Sequence, residues 1–571
     1  MPPPLRAAVN AAASPKAASV VVWFRNDLRL HDNEVVYRAM RMCQQGRASS
    51  VLPVYVFDSR TFGVTPWGNP KTGGFRAQFQ LECVSDLRSR LQAIGSDLYV
   101  AVGKPEEVLP SLNPSAVLWQ QQVTHEELEV DRALQRACGS RGVGLEPVWG
   151  HTLYHLDDLP FQNTSPTPNG DYLTDFPDVF TPFRTKTEAR ATVRPVFPTP
   201  GQGDLPLSEE HKTFLQQQMP KLVDLPGPPQ LPPRDPRAVL DFRGGETAAL
   251  ARLSYYLFES KRVATYFQTR NGLVGGDYST KLAPWLAHGC VSPRHVFHEL
   301  KRFEAAHEAT KDTYWVVFEL LCRDYFWLYA LRHGRSMFWP GGPRGSKHVH
   351  ERYPWQSPRT DAAAAHRFDK WKNGQTGWPF VDANMRELKA TGFMSNRGRQ
   401  NVSSFLVHDL TLDWRAGADW FESVLTDYDV GSNWGNWVAM AGLTGGRVNV
   451  FNITKQARDY DPEGEYVKLW CPELEHVPAN KIHEPWTMSQ QEQEHYECVI
   501  GKDYPAPLPS AMSKKRMGGG GGRDGRGGRG GEGKGRGGGG GGGGGGRAAN
   551  NRGRRGGDRN GQARSEFERF G

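Results

Sequence analysis

The stretch TDYDVGSNWGNWVAM (426–440) sets Asp427 and Asp429 around Tyr428, places Asn433 just beyond, and spaces Trp434 and Trp437 one helical turn apart. Paired carboxylates and indoles suit neither a plain core nor a plain surface. Three more stretches are polar where their neighbours are apolar. DYSTKLAPWLAHGCVSPR (277–294) offers the hydroxyls of Ser279 and Thr280 ahead of a helix. Such hydroxyls suit a phosphate or serve as an ordinary N-cap. FELLCRDYFW (318–327) puts Glu319 and Arg323 at i and i+4, the spacing of a helix ion pair. TGFMSNRGRQN (391–401) presents Asn396, Arg397 and Arg399 after a glycine, and alone could be a solvated basic turn.

Together these stretches gather Arg323, Arg397 and Arg399 with Glu319, Asp427 and Asp429 and with Asn396 and Asn433. Arginine pairs bidentately with carboxylate, which permits burial of both. A buried polar network must be satisfied or occupied. An internal ligand with phosphates and an amide-like heterocycle would occupy this one. Trp355, Trp371, Trp378, Trp414, Trp420, Trp434 and Trp437 crowd the same region. Indoles are large core fillers, and beside a redox heterocycle a chain of them also conducts electrons.

The elements that must position these groups divide by pattern. Short β-branched apolar runs at 19–24, 50–58, 97–103, 116–121 and 145–150 alternate with helical spacing at 75–95 and 125–138. That alternation predicts a doubly wound parallel α/β domain over 19–150. No GxGxxG follows its first strand, so a dinucleotide grip of that type is not indicated. Residues 151–236 are proline-rich and read as a surface connector. Helical patterns then run on with no weighty strand, predicting a large all-α domain over 237–500.

The formal charge of +8 is unevenly spread. Residues 513–571 hold 15 Lys and Arg against 5 Asp and Glu, a net of +10, so residues 1–512 sum to −2. Residues 501–571 read as a disordered tail that is low in complexity over 518–557, with glycine at every position of 537–546 and RGG units at Arg526, Arg529 and Arg555. It cannot bury enough apolar surface to fold. Its arginines suit sequence-independent nucleic-acid binding, RNA included; the alternative is a solubilising segment. Residues 1–18 are alanine-rich with no acid, like an organellar transit peptide or a disordered start. Seven scattered cysteines without a CxxC pair point to a reducing compartment and no structural zinc. No apolar run is long enough to span a membrane.

VVWFRNDLRLHDN (21–33) resembles the opening of photolyases and cryptochromes. Residues 391–437 are similar to the flavin-binding core of the cryptochrome DASH branch, and KTGGFRAQF (71–79), TYFQTRNGLVGGDYS (265–279) and DYDPEGEYVKLWCPEL (459–474) support that branch. The resemblance spans about residues 20–500 and implies FAD folded within the helical domain. It places Ser279, Thr280 and Leu282 on the phosphate side with Tyr266 nearby. Asn396, Arg399, Asp427, Asp429 and Asn433 belong to its site for the two rings, with Arg399 paired to Asp427, and Arg323 counts among its cofactor-binding residues. Asn433 matches the position facing flavin N5. Trp437, Trp414 and Trp355 match the family's electron-relaying triad, with Trp371 and Trp434 as packing or side branches. Glu126 matches a contact to a 5,10-methenyltetrahydrofolate antenna.

Glu319 and Asn396 match residues that contact a pyrimidine dimer, but the two aromatic positions that usually complete that pocket are Cys322 and Ala439. Losing stacking worth about 1–3 kcal/mol per base thins the lesion grip. The favoured reading is a monomeric DASH-type enzyme that repairs dimers mainly in single-stranded DNA. The alternatives are a photoreceptor without repair and a nucleic-acid binder acting through the RGG tail. Chloroplast or mitochondrion is the expected location, with cytoplasm or nucleus as the alternative.

Overall fold

The computed structural model describes residues 18–167, 170–227, 229–345, 355–446, 448 and 450–512. The transit-like start up to residue 17 and the tail from residue 513 onward lie outside the described residues. Residues 501–512, expected to belong to the disordered tail, are instead packed on the helical domain: Tyr504 is buried and donates to Asp382 at 2.6 Å, and the Leu508 carbonyl accepts from the Trp378 indole N–H at 3.1 Å.

Five strands, β1 (Ser19–Phe24), β2 (Ser50–Asp58), β3 (Tyr99–Gly103), β4 (Ala116–Gln120) and β5 (Gly144–Val148), form one parallel sheet in the order β3-β2-β1-β4-β5. Val20 pairs with Val51 on one side and Ala116 on the other, so β1 sits at the switch between the two windings. Because both faces are covered at the centre of the sheet, β1, β2 and β4 are apolar along nearly all their length rather than alternating, while the edge strands β3 and β5 are partly exposed. Successive side chains of β1 point to opposite faces. Val20, Val22 and Phe24 join the core shared with the helical domain, while Val21 and Trp23 pack with Val117, Leu134 and Cys138. The helices are α1 (Glu34–Gln44), α2 (Gly74–Ala93), α3 (Pro105–Ser111) and α4 (His125–Gly139). The sequence pattern anticipates α2 and α4 but neither α1 nor α3, the latter too short to show a helical period and containing Pro110.

The proline-rich connector is more than a surface strap. Its helix Phe180–Arg190 buries Phe180 and Phe183. Both pack on Tyr325 of the long helix Lys311–His333, as does Phe176, and Phe161 closes the cluster against Phe176 and Phe183. Lone phenylalanines among prolines carry no periodic signal, yet each large ring removes much apolar area from water.

Beyond it the described chain is helical. The junction between the two halves is polar, and its carboxylates are fully buried. Arg294 holds Asp32 bidentately at 2.9 and 3.0 Å, and the Phe197 N–H donates to the same carboxylate. Glu246, fully buried, accepts from the Leu30 N–H, from His31 and from Arg90. Gly289 (φ +68°) approaches the Asn26 carbonyl so closely that a Cβ would overlap it.

Candidate functional site: a polar cavity in the helical domain

A cavity of about 360 Å³ opens within the helical domain. Tyr266, Ser279, Thr280, Leu282, Glu319, Arg323, Asn396, Arg399, Asp427, Asp429, Asn433 and Trp437 all line it. The supports that aim them differ along the wall.

The 276–280 loop is held from behind. Arg252 donates to the Thr280 and Ser279 carbonyls at 3.0 and 3.2 Å and to the Asp277 carboxylate at 2.9 Å. The helix that follows, Ala283–Ala287, is only one turn long and has Leu282 at its N-cap. Ser279 and Thr280 are therefore set by Arg252, and their hydroxyls do not cap this helix.

Asn396 opens the helix Asn396–Ser404, whose N-cap Ser395 accepts from the Gly398 N–H. Arg399, one turn along, donates to Asp427 at 2.7 Å. Arg397 lies on the opposite side of that helix. Its guanidinium rests on the Tyr460 ring and reaches Asn271, so it does not line the cavity. Asp429 caps the helix Val430–Met440 by accepting from the Ser432 N–H at 2.7 Å. That cap turns the next helical face toward the cavity, bringing Asn433 and Trp437 to its wall. The Asn433 amide donates back to the Ala418 carbonyl at 3.0 Å, which fixes its orientation.

The i,i+4 pair suggested by Glu319 and Arg323 does not form. Glu319 pairs instead with Arg270 at 3.2 Å. Arg323 donates to the His151 carbonyl at 2.6 Å and touches the His151 ring. His151 enters from the start of the connector, stacks on Trp327 with centroids 3.8 Å apart, and lies 3.3 Å from Asp429. Burial, then the adjacent Arg323 charge, push its pKa down to about 4, so it is neutral near pH 7. Burial alone would raise Asp429, but the adjoining His151 ring, the Arg323 charge and the Ser432 N–H hold it well below the usual carboxylate range. Burial pushes Glu319 upward, partly offset by Arg270.

Lys281 escaped the sequence reading. It sits between Thr280 and Leu282 with φ +59°, and its ammonium, buried on the Tyr278 ring at 3.0 Å, has no hydrogen-bond partner. Burial holds its pKa well below that of a free lysine. The Tyr278 hydroxyl, Gln400 Oε1 and Asp427 Oδ1 on the same wall are also buried without partners. A cation beside two hydroxyls, with carboxylate and amide acceptors further along, fits FAD. Lys281, Ser279 and Thr280 would meet the pyrophosphate, and Asp427 and Gln400 would accept from N–H groups of the rings. No local pattern signals Lys281, because a left-handed backbone is not written in a Thr-Lys-Leu run.

Trp437 lines the cavity and meets Phe421 and Trp371 edge-on at 5.2 and 6.4 Å. It presses against the helix Trp414–Val424 at Gly417, where a Cβ would fall inside the indole. Trp414 is fully buried, donates to the Pro340 carbonyl at 3.1 Å and meets Trp434 edge-on at 5.8 Å. Trp355 is half-buried and lies off the cavity. Glu126 does not line it either, being 70% exposed on α4 and paired with Lys71. Ala439 lines the cavity, whereas Cys322 lines a smaller chamber beside it.

Residues 20–201 match the family described as DNA photolyase, and residues 315–517 match the FAD binding domain of DNA photolyase. Cryptochrome DASH, chloroplastic/mitochondrial, of Ostreococcus tauri is 49% identical over 514 residues, covering 86% of this chain and 90% of that protein. Cryptochrome DASH of Danio rerio is 45% identical over 501 residues, covering 86% and 90%. The crystal structure of a Synechocystis cryptochrome superposes with a TM-score of 0.79 at 42% identity, covering 88% of this chain and 99% of that one. With this cavity, the two family matches and relatives of such extent, the chain belongs to the cryptochrome DASH branch of the photolyase/cryptochrome family, as a blue-light flavoprotein whose helical domain binds FAD.

Proposed function

We propose that this flavoprotein repairs cyclobutane pyrimidine dimers, chiefly in single-stranded DNA. The observation that carries this reading is that Glu319 and Asn396 line the same cavity as Arg399, Asp427 and Asn433. A group docked at Glu319 would lie beside the flavin site with no wall between. Bound FAD supplies the chemistry: an electron lent on blue-light excitation, on which the two cyclobutane C–C bonds open before the electron returns. Around it the chain's own groups bind and orient. Glu319, steadied by Arg270, offers a hydrogen bond to a pyrimidine edge, and the Asn396 amide offers another. Trp437, Trp414 and Trp355 relay electrons inward to keep the cofactor reduced. Weak base flipping accords with a preference for unpaired strands, since extruding a base costs a few kcal/mol that a single strand does not demand.

Lys71 and Glu126 pair on the α/β domain, and Glu422 of the helical domain bears on the same lysine. This seam is where a methenyltetrahydrofolate antenna would contact Glu126. The arginine-glycine tail adds salt-sensitive affinity for DNA or RNA, the chain acts as a monomer, and residues 1–18 direct it to a chloroplast or mitochondrion. The small side chains of Cys322 and Ala439 favour a second reading, a photoreceptor that reduces its flavin without repair.

The deciding experiment illuminates purified, reduced protein with dimer-containing oligo-dT. Dimer loss in single strands is expected. Unchanged dimers alongside normal flavin photoreduction would sink the repair reading and leave the photoreceptor.

A further inference from the structure

The second half of the proline-rich connector reads LPGPPQLPPRDPR (225–237), and residues 229–235 run with neither helix nor strand. Proline fixes its own φ and biases the residue before it toward extended backbone, so Leu231, Pro232 and Pro233 favour a polyproline II path. That helix has three residues per turn. Pro229 and Pro232 therefore share one ridge, and Leu231 and Arg234 share the next. None of these residues lines either cavity, so this strip stands apart from the flavin chemistry.

The strip is pinned from behind. A Cβ at Gly74, the first residue of α2, would overlap the Gln230 carbonyl and crowd the Leu231 Cα, so this glycine lets the connector lie flush against the helix end. With the backbone held there, side chains still turn outward: Leu231 is 44% exposed and the Arg234 side chain 68%. Gly227 lies against the Phe62 carbonyl. Val223 and Val64, close to that contact along the chain, are each 73% exposed and extend the apolar ground. Arg234 pairs with Asp241 at 3.1 Å, but Asp241 also takes Arg243 at 3.2 Å. Exposed pairs of this kind hold weakly, and Asp241 keeps Arg243 when Arg234 leaves.

A polyproline ridge with an arginine two residues past its second proline is complementary to one kind of surface. That surface is a groove lined by aromatic rings, which takes the proline ridge, ending in a carboxylate pocket, which takes the guanidinium. Asp235 and Asp241 alternate with Arg234, Arg237 and Arg243, which disfavours a phosphate backbone as the occupant. We propose that residues 229–234 are a docking strip for a partner protein that carries such an aromatic, acid-ended groove. Because the strip is already held against α2, docking costs little ordering entropy.

The probe is a recombinant SH3 domain of the type that reads Pro-x-x-Pro-x-Arg. It is titrated calorimetrically against a synthetic peptide of residues 225–237 and against the flavin-loaded full chain. The full chain should bind at least as tightly as the peptide. Leu231→Ala and Arg234→Glu in the full chain should each weaken binding at least about tenfold, with flavin content and Tm unchanged. Asp241→Asn, which releases Arg234, should bind no more weakly than the parent. If Leu231→Ala disturbs the fold, Arg234→Glu at its exposed site decides alone. Binding of the peptide but not of the full chain would overturn the proposal, since the docked connector would then hide the ridge. Failure of the peptide to bind would overturn it as well, and so would full-chain binding untouched by Arg234→Glu. Self-association of the full chain in sedimentation, lost in Leu231→Ala and unaccompanied by SH3 binding, would give the strip to a second copy instead.

Discussion

Arg399 donates to Asp427 across 2.7 Å, tying the helix Asn396–Ser404 to the segment that leads into Val430–Met440. The Arg399 side chain remains 27% exposed while Asp427 is 3% exposed, so the pair presents its buried carboxylate to the cavity. Asp427→Asn keeps the shape and removes the charge. A hydrogen bond to a charged group contributes about 1.5–3 kcal/mol, and partial exposure of Arg399 favours the lower end. Flavin affinity should fall roughly tenfold, read as cofactor lost on repeated gel filtration, with little change in the fold.

His151 should make the protein acid-sensitive. Its pKa falls from 6.5 to about 4 in the folded chain, through burial and then Arg323. A depressed base binds fewer protons folded than unfolded, so its contribution is full above pH 6.5 and is lost as pH falls toward 4. The difference in Tm between wild type and His151→Gln should shrink across that window. A difference that stays constant from pH 7 to 4 would contradict the assignment.

Asp32 and Arg294 join the two halves where neither side chain is more than 3% exposed. Removing one partner of a buried pair strands the other, at a cost of about 3–5 kcal/mol. Asp32→Ala should lower the urea midpoint sharply. Arg60→Ala at the more exposed Asp58 and Glu106 pairs should change stability by about 1 kcal/mol or less.

The contrast between these two pairs also shows what the sequence could carry. The sheet was legible because a parallel strand covered on both faces must be apolar along its length, as 19–24 and 50–58 are. The cavity was legible in outline because Asp427, Asp429, Asn433 and Arg399 lie in two short runs whose helices point them the same way. What could not be read was set by contacts distant in sequence. Arg323 turns from Glu319 to a histidine 172 residues away, Arg270 takes its place, and Phe180 reaches the long helix from a proline-rich segment. Lys281 was hidden for another reason. Its local conformation is left-handed, and nothing in its neighbours requires that.

Gly417 is a packing prediction. A methyl there would enter the Trp437 indole, and overpacking of this kind costs about 1–3 kcal/mol. Gly417→Ala should lower Tm and alter the flavin spectrum together, since Trp437 lines the cavity. A lower Tm with an unchanged flavin spectrum would mean that the indole stays in place and the helix moves.

Trp414 separates a relay from a packed core. It is fully buried, hydrogen-bonded to Pro340, and set edge-on to Trp434 rather than to any polar group of the cavity. Phenylalanine keeps an aromatic ring there while removing the easily oxidised indole, so a purely structural role would survive the change. Trp414→Phe should abolish flavin photoreduction with flavin content and Tm nearly unchanged. Trp434→Phe, on the side branch, should photoreduce at the wild-type rate. The reverse pattern, with Trp434→Phe slow and Trp414→Phe normal, would route electrons through Trp434 and Tyr428, whose hydroxyl accepts from the Trp434 indole N–H at 3.3 Å on the cavity wall.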